Sequence, residues 1–413
     1  MCTNNVQHFR FLLAGVTVVA ALWSAPDVQA DEYHYRNILV GERASGMGGA
    51  YTAVSDSPAG LYYNPAGVVY AAGGSITASV STYDYISKSY GRGLSGLNDW
   101  NRRSTNFVPS FFGVLRPVGN GVLGISYAMP DAVTEDQDLE FQDSANSIRR
   151  YVVNFNNQDR TFQIGPSYAR RLNDELSVGA SVYFHYRERE WISNQLTELT
   201  SGLYQMNNTY FQTNEYGYKP VLGVMWSPLD KWSFGASVSK VTIYEGKADS
   251  QVTTRSTDND LTFVKSATED KRKHPLNVTL GAAYFYSPAF MISADAAYYE
   301  KFTDPIYGER ESVVNLSIGG EYYLNPAIAL RAGVFTDYAN TPDLVAGQSN
   351  QPEHVDYLGL SFSVTHFTRN SSLSLGCVYR DGDGKAQIVG GSDEIQDVSY
   401  TGASLFITSG YSY

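Results

Sequence analysis

The side chains able to do chemistry are scattered along this chain. Five histidines follow residue 30, namely His34, His185, His274, His354 and His366. None stands four residues from another or in an HExxH frame, the spacings that put two imidazoles on one helical face for zinc. Asp381-Gly382-Asp383-Gly384 has the opening of a calcium loop, but the remaining oxygen ligands are missing at their spacing, which leaves a solvated loop. Two Asn-Pro-Ala triplets, Asn64 to Ala66 and Asn325 to Ala327, match the pair with which helical water channels join two half-helices. That reading needs spanning helices, and the second triplet reads as a hairpin turn. No Gly-x-Ser-x-Gly elbow holds a nucleophile, and nothing pairs a serine with a histidine. The expectation is binding without catalysis: no enzyme, no cofactor and no metal.

Composition narrows the class. A net charge of -12 over 413 residues argues against nucleic acid as a partner. With 32 Tyr, 37 Gly and only 17% charged residues, the chain favours β-structure rich in amphipathic aromatics. The first 30 residues read as an export signal: a head ending at Arg10, an apolar run from Phe11 to Trp23, and Val28-Gln29-Ala30 as a small-residue cleavage site. That run falls short of the roughly 20 residues of a spanning helix, and no comparable run follows. Cys2 leaves with the leader and Cys377 stands alone, so no intramolecular disulfide is expected.

From Ser75 to Tyr413 alternating segments are separated in turn by tight turns and long polar stretches. The tight turns are Val118 to Gly121, Leu172 to Glu175, Pro228 to Lys231, Ser287 to Ala289, Leu324 to Ala327 and Thr368 to Ser371, each with a turn-forming residue. Six hairpins, one strand before them and one after, predict 14 strands. Long loops are expected over Ser89 to Thr105, Asp131 to Arg160, Glu190 to Glu215, Gly246 to Arg272, Thr303 to Glu311, Ala339 to Glu353 and Asp381 to Gln396. Short turns on one rim and long loops on the other predict an all-β fold, a transmembrane antiparallel β-barrel.

Alternation assigns faces. Val178, Val182, Phe184, Leu280, Leu316, Ile318, Leu405 and Ile407 fall on the lipid face, while His185, Asp295, Glu321, Arg331, Asp337 and Arg380 fall on the lumen face. A soluble sandwich also alternates; the leader, the unequal connectors and the terminal aromatic Tyr413, which resembles the signal read by barrel-assembly machinery, favour the barrel. Trp226 and Trp232 flank a tight turn as an interfacial belt would, with Trp100 and Trp191 near long loops; core packing is the alternative.

Residues 31–74 precede the first strand, and their centre reads GERASGMGGAYTAVSDSPAGLYYNPAGV, Gly41 to Val68. Small residues dominate it, and Gly46, Gly48 and Gly49 permit tight folding. Such a segment fits a lumen as a plug, or hangs below it as a periplasmic tail. Gly41 to Ala53, Asp56, Leu61, Tyr62, Tyr63 and Asn64-Pro65-Ala66 resemble the FadL-type (OmpP1/FadL/TodX-like) family of outer-membrane transporters for long-chain fatty acids and aromatic hydrocarbons. The resemblance implies an N-terminal hatch in the lumen, gating at Asn64, Pro65, Ala66, Gly48 and Gly49, and sideways exit where the third strand bends. Gly124 is the candidate for that bend, or a glycine that makes room for an aromatic neighbour.

The domain organisation expected is a leader over 1–30, a hatch over 31–74 and a barrel over 75–413. The function expected is passive uptake of hydrophobic small molecules across the outer membrane of a Gram-negative cell, by a monomer among outer-membrane lipid and lipopolysaccharide. A second reading stands beside it: the glycine-rich opening and Asn-Pro-Ala also resemble PorV-like barrels that serve as accessory subunits in protein secretion.

Overall fold

The structure is a computed structural model and describes residues 33–413 except 72, 95–97, 144–147, 305–307 and 388–392. The leader expected over 1–30, with Cys2, lies outside the described residues. The strands are β1 Ser75–Leu94, β2 Asn98–Val118, β3 Gly121–Asp143, β4 Ile148–Arg171, β5 Leu176–Leu199 and β6 Tyr204–Leu229. They continue with β7, formed by Trp232–Lys240 and Thr242–Ser256, and β8, formed by Thr262–Glu269 and Leu276–Ser287. The last six are β9 Phe290–Tyr299, β10 Val313–Asn325, β11 Ile328–Asp337, β12 His354–Phe367, β13 Ser371–Ala386 and β14 Gln396–Ser412. The halves of β7 are one strand because both pair with β6, and the halves of β8 are one because both pair with β7. Every strand pairs antiparallel with the next, and β14 returns to β1, so 14 strands close a barrel.

All six tight turns lie where the turn residues put them; Gly119 in the first has φ 57°, the left-handed conformation that glycine adopts without strain. The long polar stretches come out differently. Where loops are expected over 131–160 and 190–215, β3 to β6 run on as strands of 23, 24, 24 and 26 residues. About 9–11 residues suffice to cross hydrocarbon. Past the apolar band the outward face of these strands turns polar, as at Asn154, Asn156, Glu188 and Asn194, so the lipid-face signal fades from the sequence while the backbone ladder continues. Asp381 to Gly384, read as a loop, accordingly belong to β13.

The side chains sort by face. Ile125, Val182, Leu222, Leu316, Leu360 and Leu405 point outward, each about half exposed, an apolar coat that water would not tolerate at this extent. Trp226 and Trp232 stand exposed beside their turn, whereas Trp191 is buried in a cluster with Phe155 against which Trp100 packs. For these last two, core packing overrides the interfacial reading. No helix among the described residues is long and apolar enough to cross a membrane.

Inside the ring lies the N-terminal segment, with two short helices, α1 Glu42–Gly46 and α2 Gly60–Tyr63, and a 3-10 turn Pro65–Tyr70. α1 packs on β11 to β14, and the 3-10 turn on β3 to β6 across the lumen. Val40, Ala44, Met47, Tyr51, Ala53 and Val54 form a buried core cluster with Phe111, Ala128, Ala283 and Met291 of the wall. Lumen-facing glycines let backbone meet backbone. A Cβ on Gly179, Gly223, Gly235, Gly319 or Gly333 would come within 2.1 to 2.5 Å of Pro65, Asn64, Thr52 or Met47.

Candidate functional site

Buried polar groups fasten the N-terminal segment to the wall. Arg43 on α1 donates to Glu321 of β10 through Nη2 at 2.7 Å and Nε at 3.0 Å, and also pairs with Asp56. Burial alone would lower the guanidinium pKa, but the charges of Asp56 and Glu321 outweigh it and raise it well above the usual value. Glu321 also accepts Arg331 Nε at 2.6 Å. Across the segment, Asp295 Oδ2 accepts the backbone N–H groups of Tyr51 at 3.0 Å and Thr52 at 2.8 Å. Arg380 donates to the carbonyl of Arg36 at 3.1 Å.

Asn64 ties three pieces together. Its Nδ2 donates to the carbonyls of Thr52 (2.9 Å) and Val224 (3.0 Å), while its Oδ1 accepts the Ala66 N–H at 3.1 Å and so caps the 3-10 turn that Pro65 begins. Gly48 rests against the backbone of Gly333 and Val334, and Gly49 borders the cavity described next.

Between this segment and the wall is a cavity of about 270 Å³, near the lower end of ligand pockets (about 300–1,000 Å³). Residues 34–39 and Tyr62 and Tyr63 form one side, β3 to β9 the other, and the detour 272–275 between the halves of β8 borders it too. Tyr35 stacks on Tyr299 with centroids 4.1 Å apart, and Tyr62 meets Tyr63 edge-on at 5.4 Å. Burial pushes the phenols of Tyr62 and Tyr63 up, so both stay neutral. Lys219 Nζ lies 4.2 Å over the Tyr62 ring and donates to Gln163 Oε1 at 3.4 Å; among the described residues no carboxylate pairs with it.

Beside the cavity the wall itself is interrupted. β2 and β3 are zipped from Val118↔Gly121 to Phe111↔Ala128, after which six residues on each strand, 105–110 and 129–134, make no ladder pair with one another. A single bridge, Ser104↔Glu135, follows. On its other side β3 shifts register against β4 between Ala128 and Asp131. The residues at that shift are Met129 and Pro130, and proline has no N–H to give a ladder. The free Pro130 carbonyl instead accepts the N–H of Ile38 at 3.1 Å, and Asn37 donates to Asp131 at 3.2 Å. Val108, Met129 and Ala132 line the break as an apolar cluster with Ile38, Tyr127 and Phe162 packed on it. Gly124, the expected bend, pairs regularly with Leu115 and Ser167 and faces Leu61. The register irregularity of β3 lies further along, at Met129 and Pro130, where proline offers no N–H to the ladder.

His185, Asp295, Glu321, Arg331 and Arg380 all have buried side chains turned into the ring. The structure splits them: Glu321 and Arg331 meet at Arg43, Asp295 and His185 border the cavity, and Arg380 holds Arg36. Spacing rules missed Lys219 and the grouping of His185, Glu215 and His274, whose donor atoms lie within 4.8 Å of one another. Strand register carries that signal: His185 pairs with Gly217, which places Glu215 diagonally beside it on the same face.

No family model matches the sequence, and no curated protein matches it. Solved structures do. A toluene transporter of P. putida, TodX, aligns with a TM-score of 0.65 at 14% identity over 92% of this chain and 99% of its own. A Pseudomonas aeruginosa FadL homologue gives 0.64 at 13% over 92% and 99%, and the Ralstonia pickettii toluene transporter TbuX gives 0.61 at 14% over 92% and 99%. At such identities the likeness speaks for architecture: this chain has the fold of the FadL and TodX barrels.

Proposed function

We propose that the protein is an outer-membrane channel for passive uptake of hydrophobic small molecules, in which residues 33–74 act as a hatch and cargo leaves sideways between β2 and β3. The observation that carries the reading is the interrupted ladder: an apolar-lined break in the wall, touched from inside by Ile38 of the segment that also borders the cavity. Lateral exit suits such cargo, because it delivers apolar surface to hydrocarbon without passage through water. The neighbours of like fold are named as toluene transporters and a FadL homologue. Lys219, an ammonium over an aromatic floor and without a carboxylate partner, favours a cargo with an anionic end, such as a long-chain fatty acid, over a neutral arene. No group acts as catalyst; binding and hatch movement supply the mechanism.

The test closes the break. Asn106 Nδ2 already reaches the Ala132 carbonyl at 3.5 Å, so cysteines at Asn106 and Val133, in a Cys377→Ser background, should bridge on oxidation. Fatty-acid uptake by cells should then fall at least tenfold and recover with reductant. Uptake that ignores the bridge would overturn lateral exit, and uptake equal to that of cells lacking the protein would overturn transport itself. A stably co-purifying protein partner with no lipid-like ligand in the lumen would transfer the assignment to a secretion subunit.

A further inference from the structure

We infer that His185, Glu215 and His274 form a binding site for one divalent transition-metal cation, which fastens the detour 270–275 to the barrel wall. The detour interrupts β8, and it lies between the pair Lys247↔Glu269 and the pair Leu276↔Lys240. Beyond the Asp270 N–H, which donates to the Gly246 carbonyl at 3.1 Å, no ladder pair holds it among the described residues, and the Lys273 N–H goes to Asp304. His274 comes from the detour, His185 from β5 and Glu215 from β6. The two rings stand edge to face with centroids 5.7 Å apart, and the Nε2 atoms of both are buried without a hydrogen-bond partner. Two orphaned imidazole nitrogens beside a carboxylate are costly as they stand, and a shared cation satisfies both.

The surroundings fit ligand roles. His185 Nδ1 is 3.2 Å from Gln163 Nε2, while Gln163 Oε1 takes Lys219 at 3.4 Å; ligation through His185 Nε2 requires this amide to turn over, so that its oxygen accepts Nδ1–H as behind a metal-bound histidine and Lys219 gives up its bond to Gln163. Glu215 Oε1 takes Arg187 (3.0 Å) and Arg272, while Oε2 takes Arg272 at 3.1 Å; a carboxylate oxygen with one such donor has a second lone pair to offer a cation. Arg187 is in turn held by Asp159, which Arg189 also approaches at 4.0 Å. Two imidazoles and a carboxylate suit zinc, nickel or copper better than calcium or magnesium. Tetrahedral ligation at about 2.0–2.1 Å sets donors about 3.4 Å apart. The present spacing of at most 4.8 Å closes to that by ring rotation and a shift of the detour. Three protein donors leave a fourth position.

The test uses the full mature protein, untagged, purified in detergent, stripped with chelator and titrated with Zn²⁺. Expected is one equivalent per chain that survives gel filtration, with an X-ray absorption signature of two imidazole nitrogens. His274→Ala and His185→Ala should each weaken binding at least tenfold, while His354→Ala, remote from the group, should leave it unchanged. His274 lies outside every strand, and the heat-modified shift on gels confirms that its variant is folded. Binding by wild type no tighter than by the double variant His185→Ala/His274→Ala would overturn the site, as would equal loss in His354→Ala, which would mark adventitious binding.

Discussion

Replacing Glu321 by Gln tests how the N-terminal segment is held. Glu321 is 1% exposed and serves two cations, Arg43 of the segment and Arg331 of β11. Removing one partner of a buried ion pair costs about 3–5 kcal/mol, because the remaining charge stays desolvated. Here each cation keeps another acceptor: Arg43 retains Asp56, and Arg331 retains the Thr365 hydroxyl. The lower figure therefore applies, about 3 kcal/mol, or roughly 150-fold in the ratio of docked to undocked segment at 1.4 kcal/mol per tenfold. The backbone ladder of β10 is untouched, so the barrel should keep its heat-modified migration while proteinase K cuts within residues 33–74 far faster. Ion conductance in planar bilayers should rise in parallel. The double variant Arg43→Met/Glu321→Gln removes both charges and should be better protected than Glu321→Gln alone. If Glu321→Gln is cut within threefold of the wild-type rate, the idea that this pair holds the segment is wrong.

Three further outcomes follow from the contacts. Gly179→Val should expel the 3-10 turn, since a Cβ there comes within 2.5 Å of Pro65; faster proteolysis of residues 60–70 with an intact barrel is the readout. Asn64→Ala leaves the Thr52 and Val224 carbonyls without their donor, at about 1–3 kcal/mol each, and should lower the temperature at which the segment becomes cleavable. Lys219→Met should weaken binding of a fatty acid at least tenfold by fluorescence titration while leaving toluene uptake within twofold; equal losses for both would remove the head-group role.

What could be read from the residues was what each residue decides locally. Turns were legible because Asn, Asp, Gly and Pro fix them within four positions, and the two faces were legible wherever one met an apolar surrounding, as Val182 and Tyr183 do on opposite sides of β5. The projecting parts of β3 to β6 were hidden because Asn154, Asn194 and Asn208 look like loop residues, although they bond side by side across neighbouring strands. Pro130 inside a strand is a local signal for the register shift against β4, since it has no N–H to give. The grouping of His185, Glu215 and His274 depends on which strands are neighbours and on an interruption in β8, neither of which any local spacing encodes.

The isolated bridge between β2 and β3 lies seven residues from the continuous ladder on both strands. Equal counts mean that neither strand has slipped against the other, so the seam resembles a parted zip whose teeth still match above and below. Widening or narrowing it leaves the stagger of all 14 strands, and with it the girth and tilt of the cylinder, as they are. Motion at this seam is thereby confined to two short stretches of chain, and the rest of the wall keeps its seal.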